Sequence, residues 1–154
     1  MGQFLNSQAI NRSEYQGFLL EVLQAEIDSN SNPTVVYPIL QRRQHLLDDT
    51  FAQLLQEYAR NVFSQGNVEK VAIIAEIIHN LCLDISEFPL GSRANNLEIA
   101  ITGYQTLLEV YTRQAFPKQW ANTQNSLGNA YCIRILGERA YSGMQSNEVY
   151  CNKL

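Results

Sequence analysis

The two histidines are the first places to look for chemistry in this 154-residue chain. His45 is followed at three and four residues by Asp48 and Asp49, a spacing that gathers an imidazole and two carboxylates on one helix face. Zinc asks for three or four ligands, so a solvated face is the expectation there. His79 has Glu76 three residues before it and Cys82 three residues after, which raises a Cys–His nucleophile pair. A reactive thiol needs an electropositive, accessible setting, and these two sit on a largely apolar stretch. Cys82 therefore reads as a small buried hydrophobe. Asp84, Glu87 and Glu98 are isolated carboxylates and read as caps and surface residues rather than an acid/base pair. No Gly-rich stretch accompanies Gly128, so it is not a phosphate loop. No catalytic residue, metal or cofactor is expected.

Composition narrows the partners. The net charge is -4, and of the Arg and Lys residues only Arg42 and Arg43 are adjacent. A nucleic-acid binder needs a basic stripe against phosphates, and none is visible. No apolar run approaches the roughly 18 residues of a membrane span. The longest candidate, from Val71 to Leu83, is interrupted by Glu76, His79 and Asn80. Met1 to Asn11 lacks the basic and apolar regions of a secretory signal. Gly2 is followed by Asn6 where a myristoylation motif wants Ser or Thr. Cys82, Cys132 and Cys151 are widely spaced and odd in number, which suits a reducing cytoplasm and not a disulfide framework. Asn and Gln make up about 18% of the chain, so its surface favours hydrogen-bonding contacts over long-range steering.

The elements that would position these residues are helices. Residues 1–12 read as irregular. Ser13 can cap a helix to about Ile27, with Phe18, Leu19, Val22, Leu23, Glu26 and Ile27 on its inner stripe. The cluster from Asp28 to Pro33 breaks it. A long second helix is expected from about 38, because Pro38 disfavours helical geometry at Tyr37; the alternative is a kinked helix from 33. Ile39, Leu40, Leu46, Leu47, Phe51, Leu54, Leu55, Tyr58, Val62 and Phe63 make its apolar face. A third helix, 68–87, is apolar over more than half its circumference and is expected to be the central element. A fourth is expected at about 93–113 and a fifth at about 118–136. The domain is bounded at 13–140, with 141–154 as a loose or packing tail.

Shifting the chain against itself by about 46 residues places Leu81 on Leu127, Ile85 on Tyr131, Ile74 on Trp120 and Ala75 on Ala121. It also places Leu90, Gly91, Arg93 and Ala94 on Leu136, Gly137, Arg139 and Ala140. The third and fifth helices are thus expected to be equivalent, each ending in a Leu-Gly-x-Arg-Ala turn, with the fourth as the return arm. Pairs of this kind leave an apolar face that the next pair covers.

Leu127-Gly128-x-x-Tyr131 resembles the first-helix signature of tetratricopeptide repeats (TPRs), and Ala100 with Tyr104 resembles the small-then-aromatic pair of the second helix. More narrowly, Arg93–Ile101 with Val110–Trp120, and Thr123–Tyr131 with Arg134–Ala140, look like repeats of cyanobacterial TPR proteins. The close resemblance covers about 50 residues, one and a half extended repeats; residues 13–92 are like the divergent N-terminal region of such proteins. It implies an all-α fold of antiparallel helix pairs in a short right-handed solenoid. It implies that Gly128 admits a close neighbour and that Tyr131 fills the space between helices; Trp120 reads as an anchor between repeats, with a binding role as the alternative. After Ala140 the family would continue with another helix, whereas this chain reads Tyr141-Ser-Gly-Met. No caspase-like domain, as larger members carry, is present.

The function so implied is scaffolding or adaptor work on a protein or peptide, held on the concave face formed by the first helix of each pair. Asn122, Gln124, Asn125 and Asn129 project from the fifth helix away from Leu127 and Tyr131, and their amides suit an extended main chain. Arg93, Arg113 and Arg134 are too scattered to grip a terminal carboxylate. The last helix lacks a partner in sequence, so the tail or a second copy is expected to cover it. The alternatives are a self-associating helical subunit, or a small-ligand receptor using the His79–Cys82 region or the His45–Asp49 face.

Overall fold

Side-chain caps set most of the helix boundaries. A computed structural model of the chain describes residues 2–141, with side chains for 11–138. Among the described residues it is all-helical: α1 (Gly2–Ser29), α2 (Pro33–Arg42), α3 (Asp49–Gln65), α4 (Val68–Glu87), α5 (Arg93–Leu107) and α6 (Pro117–Tyr141), with a 3-10 turn at Gln44–Leu46. Asn32, Asp48, Asn67 and Ser92 each accept a backbone N–H at the start of α2, α3, α4 and α5. Such caps satisfy donors that the helix cannot. No helix among the described residues is long and apolar enough to cross a membrane.

Four boundaries depart from the sequence reading. Residues 2–12, expected to be irregular, continue α1 back to Gly2. The long second helix is two. α2 starts at Pro33, the alternative start, and contains both Tyr37 and Pro38, so the helix absorbs the pre-proline penalty. It ends at Arg42, because Asp48 accepts from Thr50 and Phe51 N–H and starts a new helix. The fourth helix stops at Leu107, and a series of short turns carries Leu108 and Tyr111 onto the core to Phe116. The second Leu-Gly-x-Arg-Ala is not a turn, since Leu136 and Gly137 lie inside α6. Residues 142–154, most of the expected tail, lie outside the described residues.

The difference between the two Leu-Gly motifs is local. At the first, Pro89 precedes Gly91, whose φ of 77° suits glycine. Ser92 accepts from Asn95 N–H, and the Asn96 amide donates to Leu90 carbonyl at 3.0 Å. At the second, Ile135 stands in place of the proline and Glu138 in place of the capping serine. Nothing there stops the helix.

Pairings across the helices give their directions. Arg93 donates to the Ser86 carbonyl and Gly103 abuts Cys82, so α5 runs antiparallel to α4. Arg134–Glu98 and Gln105–Tyr131 set α6 antiparallel to α5. Arg60–Glu109 and Leu55 beside Gly103 make α3 parallel to α5. α4 and α6, each antiparallel to α5, run parallel and touch at His79–Ser126. The last four helices thus form two layers, α3 with α5 and α4 with α6. α1 packs on α2, α3 and α4.

α4, expected to be the central element, packs on all five other helices, while α5 is the more thoroughly buried of the two. α5 packs on α3, α4 and α6 and buries nine of its fifteen residues, from Asn96 to Leu107. α4 leaves Ile73 and Leu83 at 54% and 38% exposed. α5 earns its place through small and satisfied residues: Ala100, Gly103, and Thr106, whose hydroxyl donates to the Thr102 carbonyl at 2.7 Å. A Cβ on Gly103 would collide with the Cys82 sulfur. That close approach lets Leu55, Leu81, Ile85, Ile99 and Leu107 become fully buried. Each such side chain contributes roughly 1.5–3 kcal/mol.

Candidate functional site: the groove between α4 and α6

The parallel pair α4 and α6 lies over α5, and two open clefts run between their facing residues. On α6, Gln119, Asn122, Ser126, Asn129 and Ile133 recur at three- and four-residue spacing and line them. On α4, Glu76, His79, Asn80, Leu83, Ser86 and Glu87 line the opposite wall. One cleft of about 310 Å³ lies beside Tyr111 and Lys118, and a second of about 380 Å³ lies beside Tyr104 and Arg93. His79 lines the first and Ser126 the second, and the Ser126 hydroxyl approaches His79 Nε2 at 3.4 Å between them.

His79 is half-buried, with its ring centroid 5.4 Å from that of Tyr104. Burial lowers its pKa, so the ring is neutral at neutral pH and exchanges a hydrogen bond with Ser126 as an uncharged partner. Desolvation and the Glu76 charge push the Tyr111 phenol up to about 12, which keeps it a hydrogen-bond donor. A Ser–His pair alone does not make an acyl-transfer site. Ser126 sits in mid-helix, where the neighbouring N–H groups are spent on the α6 ladder and cannot form an oxyanion hole.

The expected Cys82–His79 pairing does not form. Cys82 is fully buried against Gly103 of α5, and burial raises its thiol pKa. The His45–Asp48–Asp49 group is also dispersed. Asp48 caps α3 and accepts from the Tyr15 hydroxyl, while His45 lies on the 3-10 turn, 4.0 Å from Glu14. Among the described residues no cluster of three or more His, Cys, Asp or Glu could hold a metal ion.

Of the four amides singled out from the sequence, all are exposed, but only two share the groove. Asn122 lines the first cleft and Asn129 the second; Gln124 and Asn125 line neither. The repeat positions divide likewise. Ala100 and Tyr104 are buried in α5, and Tyr104 is the groove floor. Leu127 is buried, while Tyr131 accepts a 2.6 Å hydrogen bond from Gln105 and lies under Arg134 at 4.9 Å. Trp120 is half-buried with Arg113 above its ring at 5.7 Å. Gly128 has no heavy atom within 4 Å of an added Cβ, so it admits no close neighbour. The glycine with that role is Gly103.

Asp84 was the largest misplacement: it is buried rather than a surface carboxylate. Glu98 pairs with Arg134 at 3.0 Å, and Arg93 and Arg113 are each engaged within the chain. The residues missed in the groove, Gln119 and Ser126 above all, had a readable signal, a polar stripe at helical spacing beside the Leu127 stripe. The chain matches no family model, no curated protein and no solved structure.

Proposed function

We propose that the chain is a protein-interaction module of TPR type whose α4–α6 groove receives an extended peptide. The observation that supports it most is the parallel pair of polar walls over an aromatic floor. Gln119 to Ile133 spans about 21 Å along the helix axis, which matches about six residues of extended chain. Amide and hydroxyl side chains on both walls can exchange hydrogen bonds with a peptide main chain, over a floor in which Tyr104 and Tyr111 are buried. The two-layer packing favours the helix-pair reading; the helical course of Leu136 to Ala140 limits the repeat to the helices themselves. No catalytic role is assigned, and a reducing cytoplasm suits Cys82 and Cys132, which are free thiols.

The test is selection from a random peptide library, followed by titration of an enriched peptide against variants. Asn122→Ala with Asn129→Ala is expected to weaken binding about tenfold, at roughly 0.5–1.5 kcal/mol for each hydrogen bond lost. Equal weakening by Gln124→Ala with Asn125→Ala would place the peptide elsewhere. A second reading, a small-ligand receptor, draws on the half-buried neutral His79 in a cleft near the lower size limit of small-molecule sites. A metabolite screen by thermal shift separates the two.

A further inference from the structure

The C-terminal ends of α1 and α4 meet inside the molecule, and each brings a carboxyl group. Glu26, in the last turn of α1, is 1% exposed, and Asp84, in the last turn of α4, is 5% exposed. Neither forms an ion pair among the described residues. Both Glu26 oxygens and Asp84 Oδ2 lack a conventional donor. The Ser31 hydroxyl lies beside Glu26 without closing a well-formed bond. The titratable groups facing the pair are Tyr37 from α2 and Cys82 and Glu87 from α4; none brings positive charge. α3 and α5 contribute none.

Three effects disfavour two carboxylates here: burial, mutual repulsion, and the negative ends of two helix dipoles. Two carboxyls that share one proton escape the repulsion and halve the buried charge facing the dipoles, since the protonated one donates to the other. We propose that Glu26 and Asp84 form a proton-dependent latch tying the end of α1 to the end of α4. Loss of the shared proton leaves two unpaired charges in the seam and loosens it. Burial first, and then Asp84, push the Glu26 carboxyl up to about 7; Asp84 is raised too, chiefly by burial. The latch therefore releases near neutrality. The segment beside it is poised to yield, because Asn30 and Ser31 hold left-handed φ values of 55° and 58°. Their reversal is held by Ser31 N–H donating to the Glu26 carbonyl at 2.8 Å.

Hydrogen exchange on the full chain at about pH 6 and about pH 8.5, corrected for intrinsic rates, tests this. Protection of residues 24–36 and 80–88, relative to α5, is expected to fall about tenfold at the higher pH. Glu26→Gln, which cannot ionise, is expected to abolish that response; Asp84→Asn serves if the first variant does not fold. An unchanged response in the folded variant, or none in the wild type, would overturn the latch. A carboxyl NMR titration of the wild type showing both groups near the ordinary value of about 4 would overturn it as well.

Discussion

Gly103 and Gly128 sit on neighbouring helices in opposite settings. An added methyl at Gly103 meets the Cys82 sulfur, so Gly103→Ala is expected to cost about 1–3 kcal/mol despite better helix propensity. Adding Cys82→Ala removes the obstacle, and urea unfolding of the double variant should show less than the sum of the single losses. Gly128→Ala meets open space and should stabilise α6 by roughly 0.5–1 kcal/mol, visible as a higher Tm. Glu26 was legible as an oddity, a carboxylate in phase with Phe18, Leu19, Val22 and Leu23. Asp84 was not, because what buries it is a helix distant in sequence. The raised Glu26 pKa has a definite sign in stability. Its stabilising contribution is full below about pH 4.5 and is lost as pH rises through about 7. Thermal melts should show Glu26→Gln flattening that part of the profile and raising Tm at about pH 8.

Among the elements, α3 depends on one residue. Asp48 accepts from Thr50 and Phe51 N–H and from the Tyr15 hydroxyl, whose pKa burial and Asp48 push up to about 12. Asp48→Ala is expected to cost about 1–2 kcal/mol from the lost cap alone, measured by chemical unfolding. Apolar spacing exposed α4, α5, α6 and the stretch that holds α2 and α3. It could not divide α2 from α3, since Leu40, Leu46 and Leu47 keep a helical phase across the break. It found the helix that touches all the others, α4, but not the most buried one. An apolar circumference marks α4, but small residues decide how closely helices approach, and Ala100 and Gly103 let α5 bury most deeply. The offset of about 46 residues anticipated the parallel setting of α4 and α6. It failed at Leu136, where proline and serine are missing.

For the whole molecule, the layers α3/α5 and α4/α6 matter more than the motif that suggested them. They set two polar walls side by side and leave a groove with an aromatic floor. The sequence showed half of the α6 wall as Asn122 and Asn129, and it included Gln124 and Asn125 because exposure alone does not identify a shared face. The α4 wall was hidden, since His79 and Asn80 lie within an apolar run and acquire a role only from α6. The most direct test of peptide binding places a photo-crosslinking residue at 122, at 129 or at 124 and maps the crosslinks made with a selected peptide. The account predicts that 122 and 129 label the same peptide at separate positions along its length, while 124 labels none. Equal labelling from 124, or labelling from neither groove position, would contradict it.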